Sequence, residues 1–340
     1  MKHLTLDPNN PQPPTRKHLH PPTSLVGAKE TKVHPKGSDG SEDAQLMFIG
    51  NATTILSWQG IRLLTDPNFL HAGDHVHLGP GVSGVRLKDP AIDLHDLPHI
   101  DLVLLSHYHG DHFDQIVEDE LRRDLPIITT PHAKSCLTAP TKKGEDEFTA
   151  VTDLDFFDSC FIDIKDGAAE GNKQLSIKVT GMPGKHVPPG PVDKANDLLH
   201  AVPPTNGWML ELGYIPSGQG EDSFQSGYRI YISGDTLFVD ELKEIPERYK
   251  NKGIDLMLIH LGGTTLPGPK MPLLMVTMDA KQGIELVRLI SPDLTIPIHF
   301  DDYDVFLSPL SDFKKVMEDA GLSDKVLYLD RRDEFKFRVK

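Results

Sequence analysis

Residues 106–114, SHYHGDHFD, place four side chains that bind divalent cations, His107, His109, Asp111 and His112, within six consecutive positions. The segment follows an apolar run, residues 101–106, that reads as a strand. It precedes a run in which Phe113, Ile116, Val117 and Leu121 recur near one face of a helix. Residues two apart in extended backbone point to one side, so His107 and His109 face a common centre. Gly110 then permits a sharp turn that brings Asp111 and His112 to a neighbouring one. This spacing suits two adjacent metal ions better than one, and two such ions activate water for hydrolysis. An ordinary polar loop would not explain three imidazoles and a carboxylate at the carboxyl end of a strand, where α/β folds commonly place their sites.

Other strand ends deliver the same residue types. Asp235 follows YRIYISG, His299 follows LTIPI, and His186 lies in GMPGKHVPPG just after LSIKVT, where flanking Gly and Pro stiffen the loop. His260 closes GIDLMLIH, and Asp302 and Tyr303 follow His299 closely enough to line a pocket. Taken singly, such an Asp can be a cap and such a His a hydrogen-bonded core residue; the repetition is the argument. With Cys136 and Cys160 the only cysteines, a disulfide framework and a thiolate zinc cluster are excluded. Ligation by His and Asp alone fits zinc, manganese or iron, with zinc the default.

The elements that must position these residues are legible in outline. The 340-residue chain is long enough for one large layered domain or two smaller ones. Residues 1–43 are rich in Pro, Lys, His, Ser and Gly without a period of 2 or 3.6, and read as a loose or draped extension carrying no chemistry. From residue 44 short β-rich runs open an antiparallel meander, and the domain extends to residue 340. Strands are expected at residues 101–106, 126–130, 175–180, 208–213, 228–233, 254–260, 294–299 and 326–330. Helices are expected over residues 112–123 and 278–291, the second opened by Asp279 with Gln282 as a capping pair. Strands with interleaved helices indicate layered α/β.

In the order Asp66 in LLTDP, HxHxDH at 107–112, His186, Asp235 and His299, residues 45–340 resemble the metallo-β-lactamase superfamily. The opening GNATTILSWQGIRLLTDPNF is similar to the branch containing ascorbate-phosphate lactonases and N-acyl-phosphatidylethanolamine phospholipase D enzymes. The resemblance implies a four-layer αββα sandwich with its site along the edge between two sheets. It implies that His107, His109 and His186 bind one metal, that Asp111, His112 and His299 bind a second, and that Asp235 bridges them. Asp66 would orient a ligand imidazole rather than bind metal itself. The catalytic roles fall to Asp235, Asp111 and His260. Asn51 stands where relatives often carry His, and Val187 where the phospholipases often carry Trp, and both departures weaken transfer of a phospholipid substrate.

The resulting expectation is a hydrolase with two divalent metal ions, using a metal-bridging hydroxide on a small soluble lactone or ester; a phosphodiesterase is the alternative and a metal-binding scaffold a third reading. A net charge of −15, from 35 basic and 50 acidic residues, argues against a nucleic-acid partner. No run approaches a membrane span, and residues 1–22 lack the apolar core of a signal peptide, so a soluble cytoplasmic enzyme is expected, with a homo-oligomer left open. His71, His75 and His77 in HAGDHVHLGPG read as a loop near the site, either a mobile polar loop or a substrate-lining lid.

Overall fold

The computed structural model describes residues 1–340 except 19, 80–81, 141–146, 170–172, 200–201 and 269–270. Two sheets stack face to face. One has the strand order Lys2–Leu6, Ser159–Ala169, Lys173–Pro183, Asn206–Pro216, Gln225–Ile232, Leu256–His260, Leu294–Ile298. The other runs Val151–Asp153, Ile127–Thr129, Leu102–Leu104, Ile61–Thr65, Thr53–Trp58, Ala44–Gly50, Glu334–Phe337, Thr31–Lys32. Leu102–Leu104, Leu256–His260 and Leu294–Ile298, which lead into the site and have parallel neighbours, are short apolar runs because both their faces are buried. In Leu256–His260, Leu256 and Leu258 point to the space between the sheets while Met257 and Ile259 point to the outer layer. Leu46 and Phe48 face inward in the same way, and Met47 and Ile49 outward.

Three cores follow from this alternation. The inner one lies between the sheets and contains Phe48, Trp58, Leu104, Ile177, Trp208 and Ile232. Helices Ala280–Ile290 and Leu310–Asp319 close the first sheet through Ile284, Val287, Phe313 and Met317. Helices Gln115–Glu120 and Pro131–Leu137 close the second through Val117, Ala133 and Leu137. The result is the expected αββα sandwich. Asp279 caps its helix by accepting from the Gln282 amide at 2.9 Å, as the capping pattern predicts.

Of the two forms expected for the extension, loose or draped over the domain, the structure shows the second. Lys2–Leu6 adds a parallel strand to Ser159–Ala169, and Thr31–Lys32 pairs with Glu334–Phe337, so residues 1–43 contribute an outer strand to each sheet. Pairing at a sheet edge is done by the main chain and leaves little trace in side-chain periodicity. Leu6 is buried, and deleting residues 1–8 should cost about 1.5–3 kcal/mol, the worth of one buried leucine. An unchanged urea midpoint would show that this strand contributes nothing. Residues 326–330, expected as a strand, make only a single bridge, Val326 with Thr295. Among the described residues no helix is long and apolar enough to cross a membrane.

Candidate metal centre

At one end of the sandwich, the turns that leave six strands of both sheets converge. Asp66 follows Ile61–Thr65, residues 107–112 follow Leu102–Leu104, His186 follows Lys173–Pro183, Asp235 follows Gln225–Ile232, His260 ends Leu256–His260 and His299 follows Leu294–Ile298. The sheets are tied together here, because Asn206 donates its amide to Ser106 O at 3.1 Å and His299 donates its amide to Asn51 O at 2.9 Å. His299 (φ 60°), Asp66 (φ 36°) and Asn51 (φ 51°) all adopt left-handed backbone, a costly conformation that clusters where side chains must be aimed. The chain turns at Gly110 as expected, with the His112 and Phe113 amides donating to His109 O at 3.0 and 2.8 Å, and the glycine also has a packing role. A Cβ there would stand 2.5 Å from Val76 Cγ2 and 3.1 Å from His77 O, so glycine lets the hairpin of His75–Gly79 and Val82–Val85 close over the motif.

The side chains form two groups. His107, His109 and His186 each offer a nitrogen, all within 4.8 Å of one another, and His107 Nε2 lies 3.3 Å from His109 Nδ1. Asp111, His112, Asp235 and His299 form the second group within the same span. Asp235 Oδ2 is 3.3 Å from His112 Nε2 and 3.5 Å from His299 Nε2, and Asp111 Oδ2 is 3.7 and 3.5 Å from the same two nitrogens.

Outer contacts aim these donors. His186 donates Nδ1–H to Val276 O at 2.6 Å and His299 donates Nδ1–H to Leu261 O at 2.9 Å, which turns each Nε2 inward. Asp66 stands behind His112, with Oδ2 3.4 Å from its Nδ1 and Oδ1 accepting the Ser106 amide at 2.7 Å. Asp235 is held by His260 Nδ1 at 2.9 Å on Oδ1 and by the Thr277 hydroxyl at 2.9 Å on Oδ2. Thr277 escaped the sequence reading because nothing in its local pattern marks it. Asn51 donates its side-chain amide to Asp111 O at 2.7 Å.

Whether metal fits can be judged from the atoms left over. His109 Nε2, Asp111 Oδ1, His112 Nε2 and His299 Nε2 are buried with no hydrogen-bond partner, an arrangement too costly to keep unless something else satisfies them. Donors of imidazole nitrogen and carboxylate oxygen match zinc, manganese and iron. The residues fit the group.

The two clusters differ in charge. Burial and the neighbouring imidazoles His112, His186 and His109 hold His107 well below the ordinary histidine value, and burial pushes His186 down to about 4. Burial also opposes charge on His112, but the carboxylates of Asp235 and Asp111 outweigh it and set that imidazole well above its ordinary value. Burial would likewise raise Asp235, yet His299 and His112 hold it well below the carboxylate range. These carboxylates favour the protonated form of His112 in the metal-free protein, and a metal must displace that proton. Metal affinity should rise with pH across neutrality, with proton release that calorimetry in buffers of different ionisation enthalpy will register; equal heats in all buffers would contradict this.

Among the remaining sequence candidates, His260 is fully buried and touches Asp235 rather than open space, which fits a positioning role instead of the expected catalytic one. Replacing it by Ala should lower activity or metal affinity roughly 10–100-fold, as loss of an outer partner does. A variant titrating metal like wild type with full turnover would rule the role out. Asp302 does not line a pocket: it is fully buried, with Oδ1 3.0 Å from Arg86 Nη2 and 2.8 Å from Arg331 Nη2, and Oδ2 accepting the Asn51 amide at 2.7 Å. Tyr303 is also buried, its hydroxyl paired with the Asn68 side chain. A residue two positions past a site can point into the core as readily as into the cleft. His75 and His77 lie exposed on the hairpin covering Gly110, and His71 is exposed beside Asp93, with Nε2 2.7 Å from Oδ1; Pro80 and Gly81 of that segment lie outside the described residues.

The family model described as the β-lactamase superfamily domain matches residues 62–300. A metal-dependent hydrolase of Thermodesulfovibrio yellowstonii is 22% identical over 278 residues, covering 81% of this chain and 88% of that protein. An N-acyl-phosphatidylethanolamine-hydrolyzing phospholipase D of Caenorhabditis elegans is 25% identical over 284 residues, covering 80% and 69%. The crystal structure of isothiocyanate hydrolase from Delia radicum gut bacteria shares the fold with a TM-score of 0.62 at 18% identity, covering 87% of this chain and 100% of that one. The chain belongs to the β-lactamase superfamily, and it is a metal-dependent hydrolase of the metallo-β-lactamase fold.

Proposed function

We propose that the protein hydrolyses a small soluble lactone or ester at a dinuclear zinc centre. The observation that supports this reading is Asp235 in the second donor group, with its charge also reaching the histidines of the first. Its Oδ2 contacts His112 and His299, and its charge also acts on His107, His109 and His186. His107, His109 and His186 would hold one ion, Asp111, His112 and His299 the other, and Asp235 both. Bound in this way, the ions supply a water of lowered pKa and Lewis-acid polarisation of the substrate oxygen.

The chain's own residues prepare the remaining steps. His260 and Thr277 each direct a hydrogen bond at Asp235, which fixes the orientation of its carboxylate and keeps it ionised. An oriented, ionised carboxylate at that point can accept a proton on Oδ1 or Oδ2 and return it to the leaving group. A cavity of about 410 Å³ opens beside His186, lined by Phe156, Lys185, Val187, Asn196, Val202 and Pro203. That volume suits a small molecule. Val187 contributes an aliphatic wall directly after the ligand His186, buried at 4% exposure.

A phosphodiesterase reading is supported by the phospholipase D relative, since the same ligand set can clamp an in-line phosphoryl displacement. Proton-release turnover of metal-loaded protein on a lactone and ester panel, against a phosphodiester panel, separates the two. Faster turnover of lactones supports carbonyl chemistry. Preference for phosphodiesters overturns it in favour of phosphoryl transfer, and inactivity on both panels favours a non-catalytic metal-binding scaffold.

A further inference from the structure

A second group of metal-binding side chains lies outside the site described above, at the junction between the N-terminal extension and the second sheet's outer layer. The extension is fixed there by its backbone. Thr15 bridges to Leu121, and Arg16 donates its amide to Glu120 O at 2.8 Å, while its guanidinium contacts Asp119 O. These contacts bring His18 across from His95, with ring centroids 3.8 Å apart. His95 sits on the short helical turn Leu94–Asp96, which is anchored by buried Leu94, and its Nε2 is 3.2 Å from Glu120 Oε2. Glu120 is the last residue of helix Gln115–Glu120, and its other oxygen, Oε1, is taken by Lys17 at 2.8 Å. His18, His95 and Glu120 thus each offer one donor atom within 4.8 Å of the others.

We propose that His18, His95 and Glu120 form a peripheral zinc site that staples the N-terminal extension to the hydrolase domain. Two imidazoles and one carboxylate oxygen are a donor set that zinc accepts, with water completing four-coordination. Lys17 leaves Oε2 available because it occupies Oε1, and it partly neutralises the carboxylate without blocking the face that His95 meets. The three ligands come from positions 18, 95 and 120, so binding closes a long chain loop and adds stability only to the state in which the extension is docked. Local sequence does not mark the site because its three ligands are scattered along the chain, and His18 lies in a segment without periodicity. The inference does not depend on the catalytic reading, since no residue of the catalytic cluster takes part.

The test uses full-length protein already loaded at the catalytic centre. Its bound zinc is counted by elemental analysis, and further zinc is titrated against a colorimetric chelator. Wild type should take up one more equivalent than His95→Ala, and the affinity of that extra equivalent should fall by about tenfold or more in Glu120→Gln. His95 is exposed and Glu120 is half-buried at the end of its helix, and neither touches the catalytic cluster, so the catalytic metal content should stay unchanged and reports that the variants are folded. Zinc should also slow protease nicking within residues 20–30 in wild type and not in His18→Ala. Equal zinc content in wild type and His95→Ala, or uptake only at millimolar zinc in both, overturns the proposal.

Discussion

Asp235→Asn should reduce hydrolytic turnover by more than about 100-fold, beyond the usual effect of losing an outer partner, while leaving both sheets intact. The carboxylate touches His112, His299, His260 and Thr277, so an amide at that position removes one negative charge from a group that otherwise holds two carboxylates against two imidazoles. His112 should lose much of the stabilisation that favours its protonated form in the metal-free state, because Asp235 is the largest influence raising its pKa. The fold should survive because Asp235 lies in a turn at the sheet edge, outside the three apolar cores. The measurement pairs turnover with metal content and circular dichroism. Wild-type turnover in a variant that has lost metal would sink the assignment of this cluster as the catalytic centre.

Substituting Asp302 should produce the largest loss of stability. Its carboxylate is the buried anion between Arg86 and Arg331, and Arg86 has no exposed side-chain surface. Asp302→Ala leaves the Arg86 guanidinium in the interior without its counter-charge, which typically costs about 3–5 kcal/mol. For a chain of this size that corresponds to a fall in melting temperature on the order of 10 °C. The damage should reach the metal ligands, because Asp302 also accepts the Asn51 amide, Asn51 O accepts the His299 amide, and the Asn51 side chain donates to Asp111 O. Metal affinity should therefore drop along with stability. Arg86→Met combined with Asp302→Leu, which removes both charges together, should recover part of the loss. If Asp302→Ala melts within a degree or so of wild type, the network carries no such load.

How much of this was legible in the sequence depended on whether the signal was local. The HxHxDH run could be read because four candidate ligands share one strand end and one turn. Asp235, His299 and His186 could be read because each follows an apolar strand, and the resemblance carried by those motifs supplied the sandwich. The helices over residues 112–123 and 278–291 showed their apolar faces, although the first is shorter than expected, ending at Glu120. The outer strand Lys2–Leu6 could not be read, because main-chain hydrogen bonding at a sheet edge makes no demand on side-chain type.

Residue type and spacing along single segments therefore determined the available donor chemistry, the layered α/β class and the order of the candidate ligands along the chain. Only the tertiary structure decided which side chains face one another. It turned Asp302 away from the cleft and into a buried ion pair, and set Thr277 against Asp235. It added to the turn at Gly110 a packing demand from the hairpin above it, and brought His18 across 77 positions of sequence to His95. The physical reason is that periodicity records which face of an element is buried, whereas a contact between elements depends on the packing of two surfaces far apart in the chain.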